Sequence, residues 1–115
     1  MIEHSRLSRA PLDLSYGALA DSTRRGMLVT LGDRPARITD LAAPLPISFA
    51  AAARHVGVLE TAGLIEREVR GRDHWLTVRP AGLRPAGEWI EEQVSFWSLR
   101  ADALAARLER RNRQR

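Results

Sequence analysis

The stretch Ser48-Phe49-Ala50-Ala51-Ala52-Ala53-Arg54-His55-Val56-Gly57-Val58-Leu59-Glu60-Thr61-Ala62-Gly63-Leu64-Ile65 constrains this chain more than any other. Ser48 can accept hydrogen bonds from the first free N–H groups of a helix, and Gly63 can take the left-handed conformation in which helices commonly end. Between them Ala52, Val56, Leu59 and Gly63 recur at helical spacing, which predicts a helix over about 48–62 with that set buried. Ala50, Ala51, Ala53, Arg54 and His55 then point elsewhere. A solvated helix face normally carries Glu and Lys; this one offers methyl groups beside a guanidinium. Such a face suits the major groove of duplex DNA, where Ala touches the thymine methyl and Arg takes the two acceptors of guanine.

The rest of the chain reads as support for that helix. Residues 1–10 are polar and basic without periodicity and are expected to form a flexible arm, with Arg6 and Arg9 as candidate phosphate contacts. From Pro11, Leu12, Tyr16 and Leu19 predict a first helix. Asp21 or Ser22 caps a second, with Met27, Leu28 and Leu31 inward and Gly32-Asp33-Arg34-Pro35 as its end. A short third helix starts near Arg37 or Thr39 and carries Ile38, Leu41 and Ala42, until Pro44 and Pro46 break it. Arg37 and Thr39 are candidates for phosphate contact or for plain capping.

After Gly63 the period changes to two. Ile65, Arg67 and Val69, then Leu76 and Val78, flank Arg70-Gly71-Arg72-Asp73 and predict a β-hairpin over about 64–79 with Arg70 and Arg72 at its tip. A hairpin after a recognition helix is the wing of a winged helix, and arginines on its loop can meet phosphates or a minor groove. A long helix follows over about 85–111, where Ile90, Val94, Trp97, Ala101, Leu104 and Leu108 form a heptad seam widened by Trp89 and Phe96. That is more apolar area than a small module covers alone. With Leu12 and Tyr16 it predicts a homodimer interface, and a cavity lined by Trp89, Phe96 and Trp97 for a small-molecule effector is the alternative use. The fold class is therefore mainly α with a small β-hairpin, a single winged helix-turn-helix domain over 11–111 with a long C-terminal dimerisation helix.

A resemblance adds to this. Leu41-Ala42 to Pro44, Ile47-Ser48, Ala50-Ala51, Arg54-His55-Val56 and Val58-Leu59-Glu60-x-Ala62-Gly63-Leu64-Ile65 resemble the helix-turn-helix of the ArsR-type (ArsR/SmtB) transcriptional regulators. Leu19-Ala20-Asp21-x-Thr23-Arg24-Arg25-x-Met27-Leu28 resembles the opening signature of that family, and together these cover most of residues 12–110. The resemblance implies a winged-helix repressor, with the Arg54-His55 pair in contact with base or backbone. Ala53 stands where the family usually has Ser or Thr, Gly57 where Lys or Arg is common, and Ala52 where a larger aliphatic is usual. Many members sense metals through Cys in the third helix or through His, Asp and Glu on the last. This chain has no Cys, its last helix has no His, and His4, His55 and His74 lack ligand-like spacing, so no metal site is expected. Glu88, Glu91 and Glu92 read as a solvated helix face.

Composition narrows the function classes. Every one of the 18 basic residues is Arg, which leaves no lysine for Schiff-base or phosphate-loop chemistry, and six of them against two acids in residues 100–115 account for the whole net charge of +4. Without Cys there is no disulfide or thiol chemistry. Neither a signal segment nor a membrane span is legible, so a cytoplasmic protein is expected. No catalytic constellation occurs and no enzyme is expected. The expected function is that of a sequence-specific DNA-binding repressor acting as a homodimer on a palindromic operator. Ser48, Ala50, Ala51, Ala53, Arg54 and His55 would read or position the DNA, and Arg70 and Arg72 would anchor it. No cofactor is expected and no residue pattern names an effector. A winged-helix adaptor that binds protein is the alternative of a different class.

Overall fold

Asp21 accepts a hydrogen bond from the Arg24 backbone N–H at 3.0 Å, and this capped start fixes where the second helix begins. In the computed structural model, which describes residues 2–114 and the side chains of residues 11–114, the order is α1 (Ile2–Leu19), α2 (Ser22–Asp33), α3 (Ile38–Ala42), α4 (Phe49–Thr61), β1 (Ile65–Arg70), β2 (Asp73–Val78) and α5 (Pro80–Arg113). The α-dominated fold with one antiparallel hairpin is the one expected.

Three boundaries differ from expectation. α1 begins at Ile2, so the segment expected to be a flexible arm continues the helix. Residues 2–10 contain neither Gly nor Pro, and Pro11 carries the helix on through its fixed φ while Ser15 Oγ donates to the Pro11 carbonyl at 3.0 Å. Arg6 and Arg9, the candidate phosphate contacts, and His4 lie outside the described side chains. α5 begins at Pro80 because a first-turn position needs no N–H donor, and Pro85 lies inside it. Instead of one domain over 11–111, the chain divides into two compact units, one up to Pro85 and one from Ala86 onward. The second consists of the later part of α5, a single helix whose apolar side chains have no second element of their own unit to pack on.

In the first unit Ala18, Met27, Leu28, Leu31, Leu41, Ala52, Val56, Leu59, Leu64, Ile65 and Leu76 form one core, with Leu45 and Ile47 from the Pro-containing connection packed against it. α4 has its expected caps: Ser48 Oγ accepts from the Ala51 N–H at 3.1 Å, and Gly63 exits with φ +73°. β1 and β2 pair from Ile65 opposite Val78 to Arg70 opposite Asp73, leaving a two-residue loop that opens on Gly71 at φ +62°. Ala36, between α2 and α3, exchanges backbone hydrogen bonds with Leu76 at 3.1 and 2.8 Å, which holds the hairpin to the helices. At the other end of the hairpin Arg79 donates to the Gly63 carbonyl at 3.0 Å, and a Cβ built on Gly82 would overlap that same carbonyl. Only a glycine lets the first turn of α5 approach so closely.

Candidate nucleic-acid interface

α4 divides as its periodicity predicts. Ala52, Val56 and Leu59 are buried, Ala50 and Arg54 are exposed, and Ala51 and Ala53 are half-buried. Arg54 has no carboxylate partner among the described residues and lies beside Leu14, Gly57, Val58 and Thr61 in a shallow groove between α1 and α4. At the cap Ser48 is exposed, and Thr39 at the front of α3 is exposed too.

His55 is more enclosed than its neighbour Arg54. Its side chain is only 17% exposed, and its Nδ1 lies 3.0 Å from an Arg24 guanidinium nitrogen. A guanidinium can only donate, so Nδ1 is the acceptor of this contact, and the Asp21 carboxylate lies 4.0 Å from the same nitrogen. The same Arg24 donates to the carbonyls of Ala18 at 2.7 Å and Gly17 at 3.1 Å. Arg24 thereby satisfies the open C-terminal carbonyls of α1 while its backbone N–H enters the cap of α2. Arg25 does likewise for Leu19 at 2.8 Å. His55 thus ties α4 to this joint through its Nδ1.

Arg37 and Arg70, both solvent-accessible, have acidic partners within the chain. The Asp40 carboxylate accepts from the Arg37 backbone N–H at 3.0 Å and from its side chain at 3.2 Å, and Asp73 lies 3.7 Å from the guanidinium. The same guanidinium stands 5.4 Å from the Trp75 ring centre. Bonding to Asp40 raises the Arg37 pKa, and bonding to Arg37 lowers that of Asp40. Arg70 pairs with Glu68 at 3.2 Å and lies 6.0 Å from the Trp75 ring, because the register puts Trp75 opposite Glu68 and diagonal to Arg70. Of the two tip arginines only Arg72 is exposed without a carboxylate partner among the described residues. Arg67 completes the attachment of the wing by pairing with Glu60 of α4 and lying 3.1 Å from His74 Nδ1. Val69, part of the expected alternation, is exposed because the hairpin tip runs beyond the core.

Sequence reasoning missed two residues here. Trp75 gathers Arg37 and Arg70, and its position in a period-two segment next to arginines was the available signal. Phe49, the first residue of α4, is 56% exposed and lines an open cleft with Arg37, Ile38, Thr39, Arg67, Arg72, Asp73 and His74. The residues expected at a dimer interface stand apart from this face in sequence. Leu12 and Tyr16 of α1 are half-buried, Ala101 is exposed, and Trp89, Ile90, Val94, Trp97, Leu104 and Leu108 of α5 are exposed by 46 to 62%.

Comparison with known proteins decides the family. No family model matches the chain. An HTH-type transcriptional regulator of Mycobacterium tuberculosis, Rv2034, is 37% identical over 75 residues, which cover 65% of this chain and 69% of that protein. The solved structure of an ArsR family transcriptional regulator, RHA00566, superposes with a TM-score of 0.72 at 30% identity, covering 76% of this chain and 97% of that one. An ArsR-like transcriptional regulator from Rhodococcus sp. RHA1 superposes with a TM-score of 0.73 at 31% identity, covering 84% of this chain and 91% of that one. The chain belongs to the ArsR family of transcriptional regulators.

As an ArsR-family regulator it is a DNA-binding protein, and its relatives are regulators rather than enzymes. Its departures from the family pattern now have places. Ala52 is fully buried, so a small residue there is a matter of core volume. Ala53 and Gly57 are half-buried, and Gly57 leaves the groove beside Arg54 without a side chain at that position. Among the described residues no three His, Cys, Asp or Glu side chains are grouped closely enough to hold a metal ion, and no helix is long and apolar enough to cross a membrane.

Proposed function

We propose that this regulator is a cytoplasmic repressor that binds a palindromic operator as a homodimer, with α4 of each copy in a major groove and the hairpin beside it. Two such helices meet successive grooves about one helical turn apart, roughly 34 Å. The observation that supports this best is Arg54 on the outward side of α4, without an acidic partner among the described residues and near the small Ala50, Ala53 and Gly57. An unpaired guanidinium among small side chains can reach a guanine edge without obstruction. Ser48, Ala50, Ala51 and Ala53 shape the approach, and Thr39 and Arg72 supply contacts at its edges.

The partner for the second half is a copy of the same chain. Trp97, Leu104 and Leu108, exposed along one seam of α5, carry the apolar area that a two-fold interface covers. Enrichment of random duplex DNA on the purified protein tests the proposal. The expected outcome is an inverted repeat with half-sites centred about 10 base pairs apart. Recovery of unrelated sequences with no symmetric motif would count against it.

A further inference from the structure

We propose that Phe49 is a base-reading residue, one that senses the C5-methyl groups of thymines in the half-site. The inference rests on α4 being the helix that enters the major groove. Phe49 opens α4 directly after the Ser48 cap, and its ring is more than half exposed, whereas Ala52, Val56 and Leu59 of the same helix are fully buried. The cleft around it carries Arg37, Arg67, Arg72 and the exposed Thr39 against one carboxylate, Asp73, which lies 3.7 Å from the Arg37 guanidinium, and Arg72 has no carboxylate partner among the described residues.

An apolar ring with a cation and a hydroxyl at its margin needs a partner that is both polyanionic and locally apolar. Duplex DNA meets that description, because thymine places a methyl group in the major groove while phosphates line its edges. A phenyl ring offers no conventional hydrogen-bond donor or acceptor, so what it reads there is the methyl. Phe49 continues the stripe of Ala52, Val56 and Leu59 to the open end of α4, where it emerges beside α3 and the hairpin, and Ala50 and Ala53, one and four positions on, add only small contacts.

The test uses the full chain and the duplex obtained by enrichment, with single thymines replaced by deoxyuridine, which removes only the methyl group. The wild-type protein is expected to lose about fourfold in affinity at one thymine position per half-site. F49A is expected to bind thymine and deoxyuridine duplexes alike, and F49L to retain part of the preference. Circular dichroism checks that both variants keep the fold, and the wild-type comparison stands whether or not they do. Equal wild-type affinity for every deoxyuridine duplex would overturn the role of Phe49 while leaving DNA recognition by α4 intact, as would a folded F49A that keeps the preference. Failure to bind any duplex above random DNA would remove both.

Discussion

The Arg24 side chain reaches three groups, the carbonyls of Ala18 and Gly17 and the ring of His55. This explains why an Arg-His pair in a recognition helix divides its labour: Arg54 faces out and His55 faces the joint of α1 and α2. Gly57 is the opposite case, a residue whose side chain is absent rather than engaged. A Cβ at this position meets nothing, and glycine inside a helix costs about 1 kcal/mol relative to alanine. Gly57→Ala is therefore expected to raise stability by about 1 kcal/mol in urea unfolding. A loss of stability would mean that the backbone there requires glycine.

Elements in this protein are held by their ends. Asp21 caps α2 and Asp40 closes the first turn of α3, each with its pKa lowered, Asp21 chiefly by the Arg24 backbone N–H and Asp40 chiefly by the Arg37 side chain. A carboxylate whose pKa is lower folded than unfolded adds stability above its unfolded pKa and loses it as pH falls through the folded one. Stability is thus expected to fall as pH drops from about 4, and Asp21→Asn, which still has an oxygen to cap with, to flatten that fall. Urea midpoints measured between about pH 2 and 7 check this; equal slopes for the two proteins would contradict it. The same ends explain what the sequence made legible. Ser48, Gly63 and Gly71 carry local signals, a cap and two left-handed positions, so α4 and the hairpin fell where expected. The pairing of Ala36 with Leu76, the contact of Arg37 with Trp75 and the seat of His55 join residues distant in sequence and depend on the packed core, so no local pattern announced them. For that reason Arg37, Arg70 and His55, all plausible as DNA contacts by type and position, turned out to have partners inside the protein.

For the molecule as a whole, the proposal assigns partners to the outward side of α4 and to the apolar seam of α5. If a second copy covers the seam, Trp97→Asp combined with Leu104→Asp is expected to shift the protein from dimer to monomer in sedimentation and to weaken operator binding more than 10-fold, since each copy then holds only one half-site. An unchanged dimer would place the interface elsewhere. The outward side of α4 is tested most directly by comparing the affinities of the wild-type protein and Arg54→Ala for the selected operator, for single base-pair variants of it and for random duplex DNA. With Arg54 on a guanine edge, the substitution is expected to cost about 1–3 kcal/mol on the operator, to relax preference at one base pair per half-site and to leave binding to random DNA nearly unchanged. Equal losses on operator and random DNA would contradict base reading by α4 and reduce Arg54 to a phosphate contact.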